Sequence, residues 1–229
     1  MPGSRLFAAL YDLLAGSAEQ AMAPRREFVA GGAKGQVLEI GAGTGANLPY
    51  YRFVLDQGVP HPNPLPWGEG TNGRPQAGEG VTDLTLSDFS PHMLRRVRRK
   101  LDGNGVQATV VQAGAESLPF EDASFDTVVA TLVLCSVRDQ SKALREVLRV
   151  LKPGGEFRFF EHVRAGNGCW AAFQTGVKPL WRIIADGCEP NRDTVAAIRR
   201  AGFKLAELEN YRFGPYPVRP HVMGVARRP

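Results

Sequence analysis

Apolar residues along this chain fall into two alternating patterns. Strands are expected at 37–40 and 127–134, where the run is largely apolar, and at 83–87, 108–112 and 156–163, with two more at 203–212 and 221–226, the last able to pair antiparallel beside its neighbour. Between them, recurrence every three to four residues predicts helices. Leu6, Phe7, Leu10, Leu13 and Leu14 share one face of a helix over 5–15, with Ala8 and Asp12 off it, and a second helix spans 18–30. A third is expected to start near Thr44, and a basic amphipathic helix opens at Pro91 and Met93. Ala143, Leu144, Val147, Leu148 and Leu151 line a helix over 140–151 that Pro153-Gly154-Gly155 stops, and another covers 192–201. The run TVVATLVL at 127–134 is apolar at both alternating sets of positions, so it is expected at the centre of a parallel sheet covered on both faces.

Two stretches break the pattern. Residues 58–80 hold five prolines and six glycines in 23 positions, which can continue neither a helix nor a central strand. The segment reads as a loosely ordered insertion in a helix-to-strand connection normally about 2–6 residues long. It resembles peptides made when a short palindromic genomic repeat inserts in frame, so His61 and Trp67 within it take no functional role. Residues 168–186 carry Trp170, Phe173, Leu180 and Trp181, suited either to a cap over an apolar pocket or to core packing.

A length of 229 residues suits one α/β domain and is short for two. The formal charge of +5 comes from 28 basic and 23 acidic residues, with a cluster at Arg95, Arg96, Arg98, Arg99 and Lys100. That cluster reads as a solvated helix face before it reads as a contact with lipid or nucleic acid. Cys135, Cys169 and Cys188 are odd in number and lack C-x-x-C spacing, which argues for reduced thiols in a cytoplasmic protein and against a disulfide frame or a zinc site. No apolar run approaches the ~20 residues of a membrane span, and no signal peptide is evident. The 5–15 helix reads as a lid over a cleft, with peripheral contact with a membrane surface as its rival.

The candidate chemistry gathers at strand ends. VLEIGAGTGAN at 37–47 is a strand that runs into three alternating glycines, Gly41, Gly43 and Gly45, where backbone must turn through positive φ or lie against a ligand. By letter it also meets the dinucleotide fingerprint through Gly41, Gly43 and Ala46. Glu39 tips the reading, because a carboxylate there suits the ammonium of S-adenosylmethionine better than a pyrophosphate. With the insertion subtracted, Asp88 stands roughly 20 residues past the turn, where an acid can accept from ribose hydroxyls; the helix cap is better served by Ser90. AGAESLPFEDASFD, after the third strand, faces the adenine end. Cys135 and Ser136 end the central strand, and Cys135 reads as an inert small hydrophobe. Glu161 and His162 reach the same edge, His162 as a candidate substrate contact or base.

These parts, LEIGAGTG, Asp88, AESLPFEDASFD and REVLRVLKPGG, resemble class I S-adenosylmethionine-dependent methyltransferases over nearly the whole chain. GANLPYY, ATLVLCSV, FFEHV, Trp181 with Asp186-Gly187-Cys188, and VRPHVMGVA most resemble the methyltransferase-like group whose mammalian members are membrane-associated alkyl thiol methyltransferases. The resemblance implies a Rossmann-like, mostly parallel seven-stranded sheet with helices on both faces and an antiparallel last strand. It implies S-adenosyl-L-methionine as cofactor, contacted by Glu39, Gly41, Ala42, Gly43, Gly45, Asn47, Asp88, Phe89, Gly114, Ala115, Glu116 and Leu132. Many members carry an acid just before the position of Ala115; here it is Gly114, which leaves adenine to backbone near Ala115 with Glu116 beside it. The N-terminal membrane anchor of the mammalian relatives is not found in this sequence.

The expected reaction is S-methylation of a small, apolar thiol, with His162 and Asp186 as catalytic candidates and no metal. Rivals are O- or N-methylation of a quinone or phospholipid headgroup, and a non-catalytic cofactor-binding module. An NAD oxidoreductase is disfavoured by Glu39 and the helix-KPGG-strand unit. Nucleic-acid methylation is disfavoured because no Asn/Asp-Pro-Pro-aromatic segment follows the central strand and no RNA-binding domain is appended.

Overall fold

The computed structural model describes residues 21–54, 80–104 and 106–229. The expected 5–15 helix, the start of the 18–30 helix and nearly all of the 58–80 insertion lie outside these residues. In chain order the elements are α1 (21–29), β1 (Gly35–Ile40), a 3-10 turn (Leu48–Tyr50), β2 (Val81–Asp88), α2 (Pro91–Asn104), β3 (Thr109–Gln112) and β4 (Phe125–Thr131). There follow α3 (Gln140–Val150), β5 (Leu151–His162), α4 (Gly168–Ile184), α5 (Thr194–Arg200), β6 (Lys204–Arg212) and β7 (Pro220–Arg227). One sheet holds all seven strands in the order β3-β2-β1-β4-β5-β7-β6. β1 pairs in parallel with β2 and β4, β2 with β3, and β4 with β5, while β7 runs antiparallel between β5 and β6.

Strand order reverses at β1 and β4, so the crevice beyond their carboxyl ends is where such a sheet takes a ligand. Alternation along β4 fills both layers of core. Val128 and Ala130 pack with Leu38, Ile40, Phe157, Phe159 and α3 on one face. Val129 packs with Val37, Leu86, Phe160 and Met223 on the other. Each such fully buried side chain is worth about 1.5–3 kcal/mol, which makes this register hard to shift. α1 is tied to the sheet at its C-terminus, where Arg158 of β5 donates to the carbonyls of Phe28 (2.7 Å) and Val29 (3.1 Å).

Besides shifts of one or two residues at other element ends, three differences from expectation bear on the site. No α-helix starts near Thr44, because Gly43 and Gly45 hold positive φ (57° and 73°) and Pro49 follows, so residues 44–50 form turns and a single 3-10 turn. The central strand ends at Thr131 rather than at residue 134. Leu132 turns into the left-handed region (φ 58°), and the next N–H groups leave the ladder for a carboxylate described below. α3 stops at Val150, before the Pro-Gly-Gly, and β5 begins at Leu151; Phe125 pairs with Leu151 and Thr127 with Glu156, so Lys152–Gly155 forms a bulge.

Candidate active site

The glycine turn leaves β1 at the crevice. A Cβ on Gly41 would stand 2.5 Å from Val133 Cγ2, so packing against the end of β4 demands glycine there. At Gly43 the reason differs: the nearest atom to such a Cβ would be the Gly41 carbonyl oxygen at 3.9 Å, and the space above the turn is open. Asp88, buried at the end of β2, holds this loop by accepting from Gly43 N (2.9 Å) through Oδ2 and from Ser90 N (2.8 Å) through Oδ1. Burial pushes its carboxyl upward, the two N–H bonds oppose this, and the charge of Asp186 adds to it. Ser90 caps α2, its hydroxyl accepting from Met93 N at 3.4 Å.

Glu39 is buried beneath the turn. Its Oε1 accepts from Asn47 Nδ2 (2.9 Å) and its Oε2 from the Tyr51 hydroxyl (2.8 Å). Asn47 in turn donates to Thr131 Oγ1 (3.0 Å) and accepts from Arg26 Nη1 (2.8 Å). Burial raises the Glu39 carboxyl to about 7, against the Tyr51 bond, the Arg26 charge and the Asn47 bond. Glu39 is therefore a fixed carboxyl under the crevice, and a bound cation would favour its ionised form.

At the far end, Phe89 is 49 % exposed beside Asp88, and its carbonyl accepts from Gln112 Nε2. Gly114 and buried Ala115 follow β3, Ala113 N donating to Asp88 O at 3.1 Å. Glu116 is already engaged, its Oε1 accepting from Arg138 N (2.8 Å) and Asp139 N (3.4 Å) just before α3. Leu132 lies past β4, its N–H on Phe160 O. The structure thus brings Glu39, Gly41, Ala42, Gly43, Gly45, Asn47 and Asp88 into one connected turn, with Phe89, Gly114 and Ala115 at the ends of the adjoining strands.

The other side of the crevice is built around Glu161, which sequence reasoning placed at the edge without a role. It is fully buried, and its carboxylate accepts from the N–H groups of Val133 (2.8 Å), Leu134 (2.8 Å) and Cys135 (3.2 Å). Burial lifts its pKa to about 7 while the three N–H groups pull it down. An acid at the penultimate position of a buried strand was the available signal. It folds the chain after β4 so that Cys135 meets His162, with Sγ 3.6 Å from Nδ1. Cys188 approaches the same nitrogen at 3.5 Å. Cys135 is held well above the usual thiol range by Cys188 and burial, and Cys188 is drawn down by Cys135 and then by His162. Behind them His221, stacked on Phe160 and Phe213, is lowered to about 3 by burial and the neighbouring His162. Asp186 sits in the turn after α4 with φ 48°.

α4 rises beside this edge. Buried Gln174 anchors it, accepting from Ala165 N (2.7 Å) and donating to the carbonyls of Val163, Pro190 and Pro217. Trp170, Phe173, Leu180, Ile183 and Ile184 are exposed, while Trp181 is half-buried and Ala171 is buried, so the stretch is in part core and in part an exposed apolar face. Trp170 stacks on Tyr216 at 3.9 Å. Among the described residues no helix is long and apolar enough to cross a membrane.

A family model described as a methyltransferase domain matches residues 67–159. The human thiol S-methyltransferase TMT1A is 35% identical over 207 residues, covering 88% of this chain and 74% of the relative. Human thiol S-methyltransferase TMT1B is 36% identical over 205 residues, covering 85% and 72%. Among solved structures, the N-methyltransferase NodS from Bradyrhizobium japonicum WM9, in complex with S-adenosyl-L-homocysteine, superposes with a TM-score of 0.59 at 16% identity over 93% of this chain and 87% of that one.

Proposed function

This chain belongs to the S-adenosylmethionine-dependent methyltransferase family that includes the thiol S-methyltransferases, and from that premise we propose that it methylates a small, apolar thiol. Kinship with the two human enzymes along most of the chain carries the reading. S-adenosylmethionine, the cofactor, supplies when bound a methyl group on a cationic sulfur.

The residues fit that cofactor by their chemistry. The open, side-chain-free space at Gly43 leaves backbone for a ligand to lie against, in a turn built by Gly41, Ala42 and Gly45. Asp88 keeps a lone pair on each oxygen for ribose hydroxyls after accepting its two backbone bonds. Glu39, with Asn47 beside it, sets a negative charge for the ammonium of the methionine moiety. Exposed Phe89 offers a face to adenine, with Gly114, Ala115 and Glu116 at its edge and Leu132 at the end of β4.

At the acceptor end, we assign His162 and Asp186 to meet the reacting sulfur. In-line displacement by a thiolate needs positioning more than a base, since a free thiol of pKa about 8.5 is already a few per cent ionised at neutral pH. On α4, exposed Leu180, Ile183 and Ile184 support peripheral contact with a membrane through this face, which co-sedimentation with vesicles measures.

The test is methyl transfer from labelled cofactor to a matched panel of an alkyl thiol, a phenol, a hydroquinone, an amine and a phospholipid. Methylated thiol should dominate, with a rate at subsaturating thiol that rises with pH until the free thiol ionises. Faster turnover of the phenol or hydroquinone would replace the thiol assignment.

A further inference from the structure

Cys135, His162 and Cys188 come from three separate segments: the turn after β4, the last position of β5 and the loop after α4. Their ligand atoms all lie within 4.8 Å of one another. We propose that these three side chains form a Cys2His site for a tetrahedral transition-metal ion, zinc being the best match.

One nitrogen facing two sulfurs is the central observation. His162 Nδ1 stands 3.6 Å from Cys135 Sγ and 3.5 Å from Cys188 Sγ. A ring nitrogen carries one proton or one lone pair, so it bonds one sulfur at a time, and among the described residues Cys135 Sγ otherwise has, besides the Cys188 thiol, only the weak contact to Ser136 Oγ at 3.6 Å. A cation between them engages all three atoms at once. With Zn–S about 2.3 Å and Zn–N about 2.1 Å at a tetrahedral angle, the S···N edge is about 3.6 Å, which both spacings already meet.

The donor set selects the metal. Two thiolates and an imidazole suit zinc, cobalt or cadmium and reject magnesium and calcium, which take oxygen. Two thiolate charges also cancel a divalent ion, so the pair buried at 1 % and 5 % exposure would enclose a neutral centre. His162 is the half-buried member of the three, the two thiols being buried.

The ligands are held in advance by backbone. Cys135 N donates to Glu161, Glu189 N donates to Cys135 O at 2.8 Å, and Cys188 N donates to Ala185 O at 3.1 Å. Glu189 thereby ties the two cysteine segments together next to Cys188. Three protein ligands leave a fourth position for water or an exogenous sulfur, the pattern of zinc sites that keep one position open. The site does not depend on which acceptor the enzyme methylates.

The experiment is titration of the full reduced chain, freed of metal, with Co2+. One equivalent should produce a thiolate-to-cobalt charge-transfer band and intense visible bands of a tetrahedral ion, bleached by equimolar Zn2+. Cys135→Ser, Cys188→Ser and His162→Ala should each weaken binding by ~100-fold or more, while Cys169→Ser, at an exposed position, should leave it unchanged. Circular dichroism and binding of S-adenosylhomocysteine report whether each variant is folded. Absence of the tetrahedral bands in the folded parent chain would overturn the proposal, as would their persistence in a folded Cys135→Ser or Cys188→Ser variant.

Discussion

The two sides of the crevice are assembled on opposite plans. On the β1–β2 side a continuous stretch, 37–47, supplies turn, charge and partner, and Asp88 closes it from the next strand. On the β4–β5 side every important group arrives from elsewhere in the chain: Glu161 holds the backbone at 133–135, and Cys188 reaches the edge only after α4 has passed over it. The first plan suits recognition of one invariant cofactor. The second lets α4 and the loop after it vary without disturbing the sheet.

The largest expected effect falls on the second side. Glu161→Leu leaves three N–H groups facing a side chain that cannot accept, each costing about 1–3 kcal/mol if it stays buried. A total loss of about 3–5 kcal/mol is expected by urea unfolding. Cofactor binding per folded molecule should fall less than stability, since the glycine turn meets Glu161 only through Val133, which packs on Gly41. Loss of cofactor affinity larger than the loss of stability would merge the two sides into one unit.

Asp88→Ala should act on the cofactor side, beyond the stability lost with its bonds to the Gly43 and Ser90 N–H groups. Ten- to hundredfold weaker binding of both S-adenosylmethionine and S-adenosylhomocysteine is expected, about 1.4–2.7 kcal/mol by calorimetry. An unchanged affinity would restrict Asp88 to holding Gly43 and Ser90.

The smallest effect concerns Glu39. Its free-site pKa of about 7 lies above the ordinary carboxylate value, and a bound ammonium favours the ionised form, so binding should release a proton and tighten as pH rises. Between pH 6 and 8 the gain should reach at most about tenfold, and Glu39→Gln should flatten it. A pH-independent affinity in the parent protein would mean that Asn47 and Tyr51 keep this charge from the ligand.

What the sequence revealed follows the same division. The strands, the glycine turn and Asp88 were legible because their meaning is local: apolar period, positive φ and an acid at a strand end. Missed features were all tertiary. TVVATLVL reads as eight strand residues, but only Glu161, 30 positions after Thr131, takes the backbone out of the sheet at Leu132. The helix expected from Thr44 failed because two glycines that shape the turn also forbid helical φ. The cysteines lack C-x-x-C spacing, and spacing is silent about side chains that the fold gathers from three segments, as it does Cys135, His162 and Cys188.

The position of β7 bears on how the molecule is made. Among the described residues, β6 precedes β7 in the chain yet pairs only with it, and the outer edge of β5 pairs only with β7. During synthesis the five-strand portion β3-β2-β1-β4-β5 can assemble first, while β6 waits for residues 220–227 to emerge. Until then the edge of β5 is unpaired along Phe157, Phe159 and Phe160, the kind of open apolar border that recruits other chains. Nascent chains stalled before residue 220 are thus the form most exposed to aggregation.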